Sequence, residues 1–284
     1  MTIKEVYRNF IEELKMCYDA GEATAITNLV FEHFAKTSTS QIVIEGQNDL
    51  TADVFTLLQK ALAQLKEHMP VQYITGNAWF YNLSFKVNDS VLIPRPETEE
   101  LVLEAINFLK NNRDKKVLDI GTGSGCIPIS IKKNIPNAQV TSIDVSETAL
   151  ALAKENAAVN NVEINFLQMD FLEEKNHDQF SYFDLIISNP PYIPENEKNI
   201  LNKNVTDHEP HLALFVPDNN PLIFYKQILF FAETHLEKNG KILMETHENL
   251  AKETADIFIA ANYEVVIKKD MQGKERMLLI NRCQ

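Results

Sequence analysis

Two hydrophobic rhythms run along the chain. Over residues 2–35 apolar side chains recur at helical spacing: Ile3, Val6, Phe10 and Leu14, then Ala25, Leu29 and Phe34, with Gly21 between the sets. Residues 38–46, with several Ser/Thr residues and closed by Gly46, read as a connector. Leu50, Val54, Leu57, Leu58, Ala61 and Leu65 then share one face of a helix expected over 49–68, and Pro70 follows its stop. Residues 1–75 are therefore expected to form a small helical domain. At 78–93 the pattern changes. Trp79, Phe80, Leu83, Phe85, Val87, Val91 and Ile93 lie among Asn82 and Asn88-Asp89, which predicts a hairpin, and 76–96 reads as a linker. Pro94 and Pro96 hold Arg95 extended, and a helix is expected from about Glu97 to Asn111.

From Lys116 the chain alternates strand and helix. Strands are expected at 117–120, 139–143 with Asp144 at its end, 163–167, 184–188, 241–245 and 263–268. Helices are expected at 124–134, from the N-cap Ser146 to Val159, at 221–238 and at 249–260. A last strand, 276–281, returns through a turn at Gln272-Gly273 as a hairpin. This alternation predicts an α/β domain over 97–284, with a parallel sheet covered on both faces.

Candidate chemistry sits where expected strands end. The run Phe183–Ser188 stops at Asn189-Pro190-Pro191-Tyr192, because consecutive prolines lack the N–H groups that a central strand needs. Asn189 is thereby left at the carboxyl edge, where open α/β sheets bind ligands. Its side-chain oxygen and the stiffly held Pro190 carbonyl are candidates to accept both hydrogens of one planar NH2 group, with Tyr192 as an aromatic wall. That arrangement suits an amide or an exocyclic amino group whose nitrogen is to act as nucleophile. Upstream, Asp119-Ile120-Gly121-Thr122-Gly123-Ser124-Gly125 follows the first strand of the sheet. Its glycines allow a tight turn and a close approach to the next helix. A dinucleotide fingerprint would require glycine at 126, where Cys126 stands. An acid two residues before the loop suits a cationic, amino-acid-bearing cofactor such as S-adenosyl-L-methionine. Asp144 is placed to accept ribose hydroxyls, Asp170 an adenine amino group, and Phe171 to stack on the ring. Arg95 is a candidate wall of the substrate mouth.

Composition narrows the classes. The 284 residues carry a formal charge of -13, and residues 1–85 hold six basic and ten acidic side chains, which argues against a stable nucleic-acid partner. Three scattered cysteines, Cys17, Cys126 and Cys283, predict neither a zinc site nor a disulfide framework, and no metal is expected. The first residues lack a signal-peptide pattern and no later run is long enough to span a bilayer, so a cytoplasmic, membrane-free protein is expected.

These motifs carry a resemblance. The stretch Ile93-Pro94-Arg95-Pro96-Glu97-Thr98-Glu99, the glycine loop, Asp144, Asn189–Tyr192, and His208-Glu209-Pro210 with Ala213-Leu214 resemble the protein-(glutamine-N5) methyltransferases of peptide chain release factors, the PrmC/HemK family. The resemblance spans nearly the whole chain. It implies a Rossmann-like class I methyltransferase domain, seven-stranded and mostly parallel with a C-terminal hairpin, behind a substrate-docking helical domain. It implies methyl transfer from S-adenosyl-L-methionine to the glutamine of the Gly-Gly-Gln loop of class 1 release factors, with effects on translation termination, by a monomer. The Asn-Pro-Pro-Tyr motif alone is shared with enzymes that methylate amino groups of nucleic acids, so adenine or cytosine methylation is the alternative. Two positions depart from the family: Glu245-Thr246-His247-Glu248-Asn249, where Glu-Ile-Gly and Gln are common, and Pro128 in the first turn of a helix.

Overall fold

A computed structural model describes residues 1–110 and 115–282; Asn111, the expected end of one helix, and Cys283 lie outside them. In chain order the helical front comprises α1 (Ile3–Leu14), α2 (Ala20–Val30), α3 (Thr39–Glu45), α4 (Ala52–Lys66) and α5 (Val71–Thr75). Then come β1 (Asn77–Phe80), β2 (Leu83–Lys86), α6 (Pro96–Leu109), β3 (Lys116–Ile120), α7 (Cys126–Asn134), β4 (Gln139–Asp144), α8 (Glu147–Val159) and β5 (Asn165–Gln168). The chain continues with β6 (Phe183–Ser188), β7 (Ile193–Pro194), α9 (Lys203–Thr206), β8 (Phe215–Val216), α10 (Ile223–His235), β9 (Leu236–Glu245), α11 (Ala251–Ala260), β10 (Tyr263–Lys269) and β11 (Glu275–Arg282). It divides into two compact units, Met1–Asn77 with Asn202–His208, and Ala78–Leu201 with Glu209–Gln284.

The helical unit starts as its periodicity predicts. Thr2 and Glu5 form a capping box, and Ile3, Val6, Phe10 and Leu14 are buried. Three expectations fail here. Residues 38–46 are not a connector: Ser38 and Gln41 satisfy each other's backbone as a second capping box and start α3. In α2 the buried face is Ala23, Ile26, Thr27 and Val30, while Ala25 is exposed and Leu29 is 45% exposed. Asp19 caps the helix one turn before Ala23, and a π-turn over Phe31–Ala35 shifts the phase, so Phe34 packs beside a stripe that it does not continue. Leu57 of α4 is likewise 44% exposed, and Leu58, Ala61, Leu62 and Leu65 form the inner face.

In the second unit seven strands run in the order β10-β11-β9-β6-β3-β4-β5. Neighbours among β5, β4, β3, β6 and β9 are parallel, and only β11 is antiparallel to its neighbours β9 and β10. Alternate strand residues feed two cores. Leu118, Ile186 and Ile242 pack under α10 and α11, and Val117, Leu185 and Leu243 pack under α6 and α7. Strand β9 starts at Leu236, earlier than expected, because Leu236 pairs with Phe183 and a register shift follows before Leu185 meets Lys241. The hairpin is shorter than the pattern suggests. Tyr81 and Asn82 turn it with φ of 49° and 59°, and Val87, Val91 and Ile93 lie beyond it as buried loop residues. Phe80 and Phe85 pack with α6 residues in the second core. Among the described residues no helix is long and apolar enough to cross a membrane.

Chain order reverses at β3: β4 and β5 lie to one side, β6 and β9 to the other. The carboxyl ends around such a switch point leave a crevice for ligands.

Candidate active site

A cavity of about 390 Å³ opens at that crevice. It is lined by the glycine loop after β3, by Asp144 and Val145 after β4, by Met169–Leu172 after β5, and by Asn189–Pro191 after β6. Val91, Pro94, Arg95, Thr98, Pro210 and Leu212 complete the wall.

Backbone hydrogen bonds hold the loop. Gly121 N and Thr122 N donate to the Ile143 carbonyl at 2.9 and 3.1 Å, and Gly123 N donates to Asp144 Oδ2 at 2.9 Å. Gly121 and Gly123 have φ of +78° and +51°, with open space where a Cβ would stand. The chain here thus presents bare backbone to the cavity. Gly125 serves packing instead: an added Cβ would lie 2.9 Å from Ile129 Cδ1 and 3.2 Å from Ala153 Cβ. Buried Asn156 braces the loop from outside, donating to the Ser124 and Lys86 carbonyls and accepting from Lys86 N. Nothing in its helical context marks Asn156 in advance.

The acids differ in access. Asp144 lines the cavity and accepts from Ser146 N at 2.9 Å as well as from Gly123 N. Burial raises its pKa, and the N–H groups of Ser146, Gly123 and Val145 pull it back. A carboxylate has room for about four such bonds, so acceptor capacity remains. Asp119 is fully buried beneath the loop and is not a lining residue. Ser142 Oγ donates to its Oδ2 at 2.5 Å, while Oδ1 is buried without a partner. Burial pushes its pKa up to about 7 against the hydroxyls of Ser142 and Thr122. Asp170 is exposed, lines the cavity and accepts from Leu172 N at 2.9 Å. Phe171 lines the cavity too, but its ring is committed to an aromatic cluster with His177 and Phe231, at centroid distances of 4.9 and 5.5 Å. Burial raises the pKa of the Cys126 thiol to about 12, which keeps it inert at neutral pH.

On the other side, Ser188 Oγ donates to the Ile120 carbonyl at 2.7 Å and ties β6 to the end of β3. Asn189 follows with its carboxamide at the cavity wall, Nδ2 donating to Thr98 Oγ1 at 3.3 Å. No protein donor meets its Oδ1 among the described residues. Pro190 and Pro191 line the cavity beside it, and Tyr192 does not. The Tyr192 ring meets His247 edge-on at 6.1 Å, and burial raises the pKa of its hydroxyl. His247 in turn lies 3.2 Å from Glu197. Arg95 keeps one face on the cavity while its Nη2 pairs with Glu209 Oε1 at 2.5 Å; Glu209 Oε2 accepts from Ile93 N at 3.2 Å. The Pro-Arg-Pro stretch and the Glu-Pro stretch are therefore one structure. Thr98 and Glu245 stand out only in the folded chain. Thr98 is buried at the start of α6, and Glu245 is buried at the end of β9 with Oε1 unpartnered.

The chain is similar to known proteins. Residues 5–76 match the family described as PrmC N-terminal domain, and residues 100–213 match the methyltransferase small domain. A release factor glutamine methyltransferase of Flavobacterium psychrophilum is 42% identical over 99% of this chain and 99% of its own. One of Bacteroides thetaiotaomicron is 38% identical over 95% and 97%. Among solved structures, a ribosomal protein L11 methylase of Lactobacillus delbrueckii subsp. bulgaricus is similar in fold, with a TM-score of 0.50 at 20% identity, covering 70% of this chain and 84% of its own.

Proposed function

This chain belongs to the release factor glutamine methyltransferases, S-adenosyl-L-methionine-dependent enzymes, and we propose that it methylates the side-chain amide of the glutamine in the Gly-Gly-Gln loop of class 1 release factors. The observation that carries this reading is Asn189. Its Nδ2 is occupied by Thr98, and its Oδ1 meets no donor among the described residues at the wall of a cavity that begins at Gly121–Gly125.

The residues present fit the cofactor. Bare backbone at Gly121 and Gly123 leaves room for it, Asp144 keeps acceptor capacity for hydroxyls, and Asp119 Oδ1, without a partner among the described residues, leaves an acceptor below the loop. Asp170 is the acceptor for a ring amino group, and the Phe171 edge is an apolar wall. When bound, S-adenosyl-L-methionine supplies a methyl group made electrophilic by its sulfonium.

The protein's task is to make an amide nitrogen nucleophilic. An amide lone pair is delocalised into its carbonyl. Accepting both N–H hydrogens, at Asn189 Oδ1 and the Pro190 carbonyl, pushes electron density toward nitrogen and stabilises the positive charge that grows there. This is preorganised electrostatic stabilisation. Pro190 and Pro191 keep the acceptor from relaxing away, and holding nucleophile and donor in line lowers the barrier further. The nitrogen sheds its proton only after transfer, so no base is needed beforehand. Arg95 shapes the mouth from its pairing with Glu209, and Tyr192 buttresses the kink from behind. The helical unit is the docking module for the factor.

The experiment is mass spectrometry of a class 1 release factor after incubation with this protein and cofactor. One added methyl on the Gly-Gly-Gln glutamine is the expected result. An unmodified glutamine, or methylation of adenine or cytosine in DNA offered beside it, would refute the assignment.

A further inference from the structure

A carboxamide has two chemically opposite ends of nearly the same shape. The proposed role of Asn189 needs the oxygen end toward the substrate, and the present inference rests on that role. Thr98 by itself does not decide the matter. A hydroxyl accepts from Nδ2, as it does here at 3.3 Å, and it can equally donate to Oδ1 after a flip of the amide. A tie of this kind is broken by a third group that can only accept, because it takes the single hydroxyl hydrogen and leaves Thr98 no role toward Asn189 except acceptor.

Glu245 is placed to do this. Parallel pairing of Ser188 with Met244 puts Asn189 and Glu245 side by side at the carboxyl edge of β6 and β9. Thr98 and Asn189 line the cavity, whereas Glu245 is buried and does not. Its carboxyl is buried, its Oε1 has no hydrogen-bond partner, and no cation lies within 4.0 Å of it among the described residues. The nearby Arg276 is held by Asp270 at 3.1 Å. We propose that Thr98 and Glu245 are positioning residues that fix the Asn189 carboxamide with its oxygen toward the substrate, through the relay Asn189 Nδ2–H to Thr98 Oγ1 and Thr98 O–H to the Glu245 carboxylate. Glu245 Oε1 and the Thr98 hydroxyl are not hydrogen-bonded in this structure; the relay closes by a small approach of the two side chains, as catalytic hydrogen bonds commonly tighten when the site is filled.

Protonation of Glu245 undoes the bias, since a carboxylic acid can itself donate to Thr98 and release the hydroxyl hydrogen toward Oδ1. Burial pushes this carboxyl up to about 7, against the Thr98 hydroxyl, Arg276 and Arg95 and with Glu97. Tyr192, Tyr225 and Cys126 are the other titratable groups that face it. Turnover is therefore expected to rise with pH through the neutral range.

The test uses the full chain with a class 1 release factor and cofactor. Thr98→Val should lower kcat ~10–30-fold with KM nearly unchanged, a fraction of the loss of a whole preorganised contact, and Thr98→Ser should restore most of it. In an Asn189→Ala background Thr98→Val should have no further effect. Glu245→Gln, whose amide has no preferred end, should remove the rise of kcat with pH. A readout independent of turnover is NMR of the Asn189 side-chain NH2 in cofactor-free protein, assigned by its absence in Asn189→Ala. Its hydrogens should exchange faster in Thr98→Val and Glu245→Gln. Wild-type kcat in Thr98→Val beside an inactive Asn189→Ala would overturn the relay and leave the proposed function standing. Additive losses in the double variant would also overturn it. If the wild type fails to methylate the factor, the function falls first, and the NH2 exchange still decides the relay: unchanged exchange in both variants refutes it.

Discussion

Two buried carboxylates stand at the carboxyl edge of the same sheet, Asp119 at the cofactor loop and Glu245 beside Asn189. Each keeps one oxygen without a partner, each faces a threonine hydroxyl, and burial raises each to about 7. They differ in what surrounds them. Asp119 belongs to a corner made almost entirely of backbone, where loop N–H groups meet the Ile143 carbonyl and Asp144 and a strand neighbour, Ser142, takes the second oxygen. Glu245 belongs to a corner made of side chains from α6, β6 and β11, with arginines close enough to lower its pKa. The backbone corner is expected to depend on its glycines more than on its side chains, and the side-chain corner the reverse; that contrast can be broken experimentally.

The largest effect is expected at the side-chain corner. Asn189→Ala should lower kcat by ~10²–10³, the scale of one preorganised contact, with cofactor affinity by calorimetry within a few-fold of wild type. Equal losses in kcat and affinity would erase the distinction between the corners. Next comes the ion pair under the mouth. Glu209 has a side chain only 1% exposed, and Arg95→Leu leaves it buried without its cation. Breaking a fully buried pair costs ~3–5 kcal/mol; because Arg95 is 34% exposed, ~2–3 kcal/mol is expected in denaturant titration. Loss of turnover without loss of stability would instead assign Arg95 directly to the substrate.

The backbone corner should answer to Gly123→Ala. A residue other than glycine at φ +51° is strained by ~1–2 kcal/mol, and the added methyl enters the open cradle. Cofactor affinity should fall ~10-fold or more while kcat at saturation stays near wild type. The smallest effect concerns both acids. Their folded pKa values lie above the ordinary carboxylate values of 3.8 and 4.5, so the native state holds more protons than the unfolded chain between about pH 4 and 7. Their contribution to stability is present at the acid end of this window and is lost as pH rises through it. Asp119→Asn should therefore stabilise the cofactor-free protein at pH 8 by ~1 kcal/mol and flatten the slope, as read by urea titration at several pH values. An unchanged slope would mean that Asp119 is already ionised in the fold.

Legibility followed the same division. The loop Asp119–Gly125, Asp144 and the strand-ending prolines lie within short windows, and the fold places the loop, Asp144, Asn189, Pro190 and Pro191 around one cavity, with Asp119 buried beneath the loop. Tyr192 sits one residue farther along, on the opposite side of the kink, and turns toward His247. The sequence expects Phe171 as a stacking surface; the fold puts it in the cavity lining with its ring also packed edge-on against Phe231, a contact no local pattern announces. In the helical unit, periodicity finds α1, α2 and α4 but neither the inner face of α2, whose phase runs from its Asp19 cap, nor α3, which a capping box starts; the π-turn after α2 then takes Phe34 off that stripe.

Sequence alone determined what depends on neighbours in the chain: the alternation that makes a parallel sheet, the glycines that allow positive φ, and the prolines that end β6. Tertiary structure decided what depends on register and packing: Glu245 beside Asn189, Thr98 against its carboxamide, Glu209 under Arg95, Asn156 beneath the loop. The reason is physical. Backbone preferences act over a few residues and leave local marks, whereas a buried polar group acquires its partner only when strands far apart in sequence settle into one pairing.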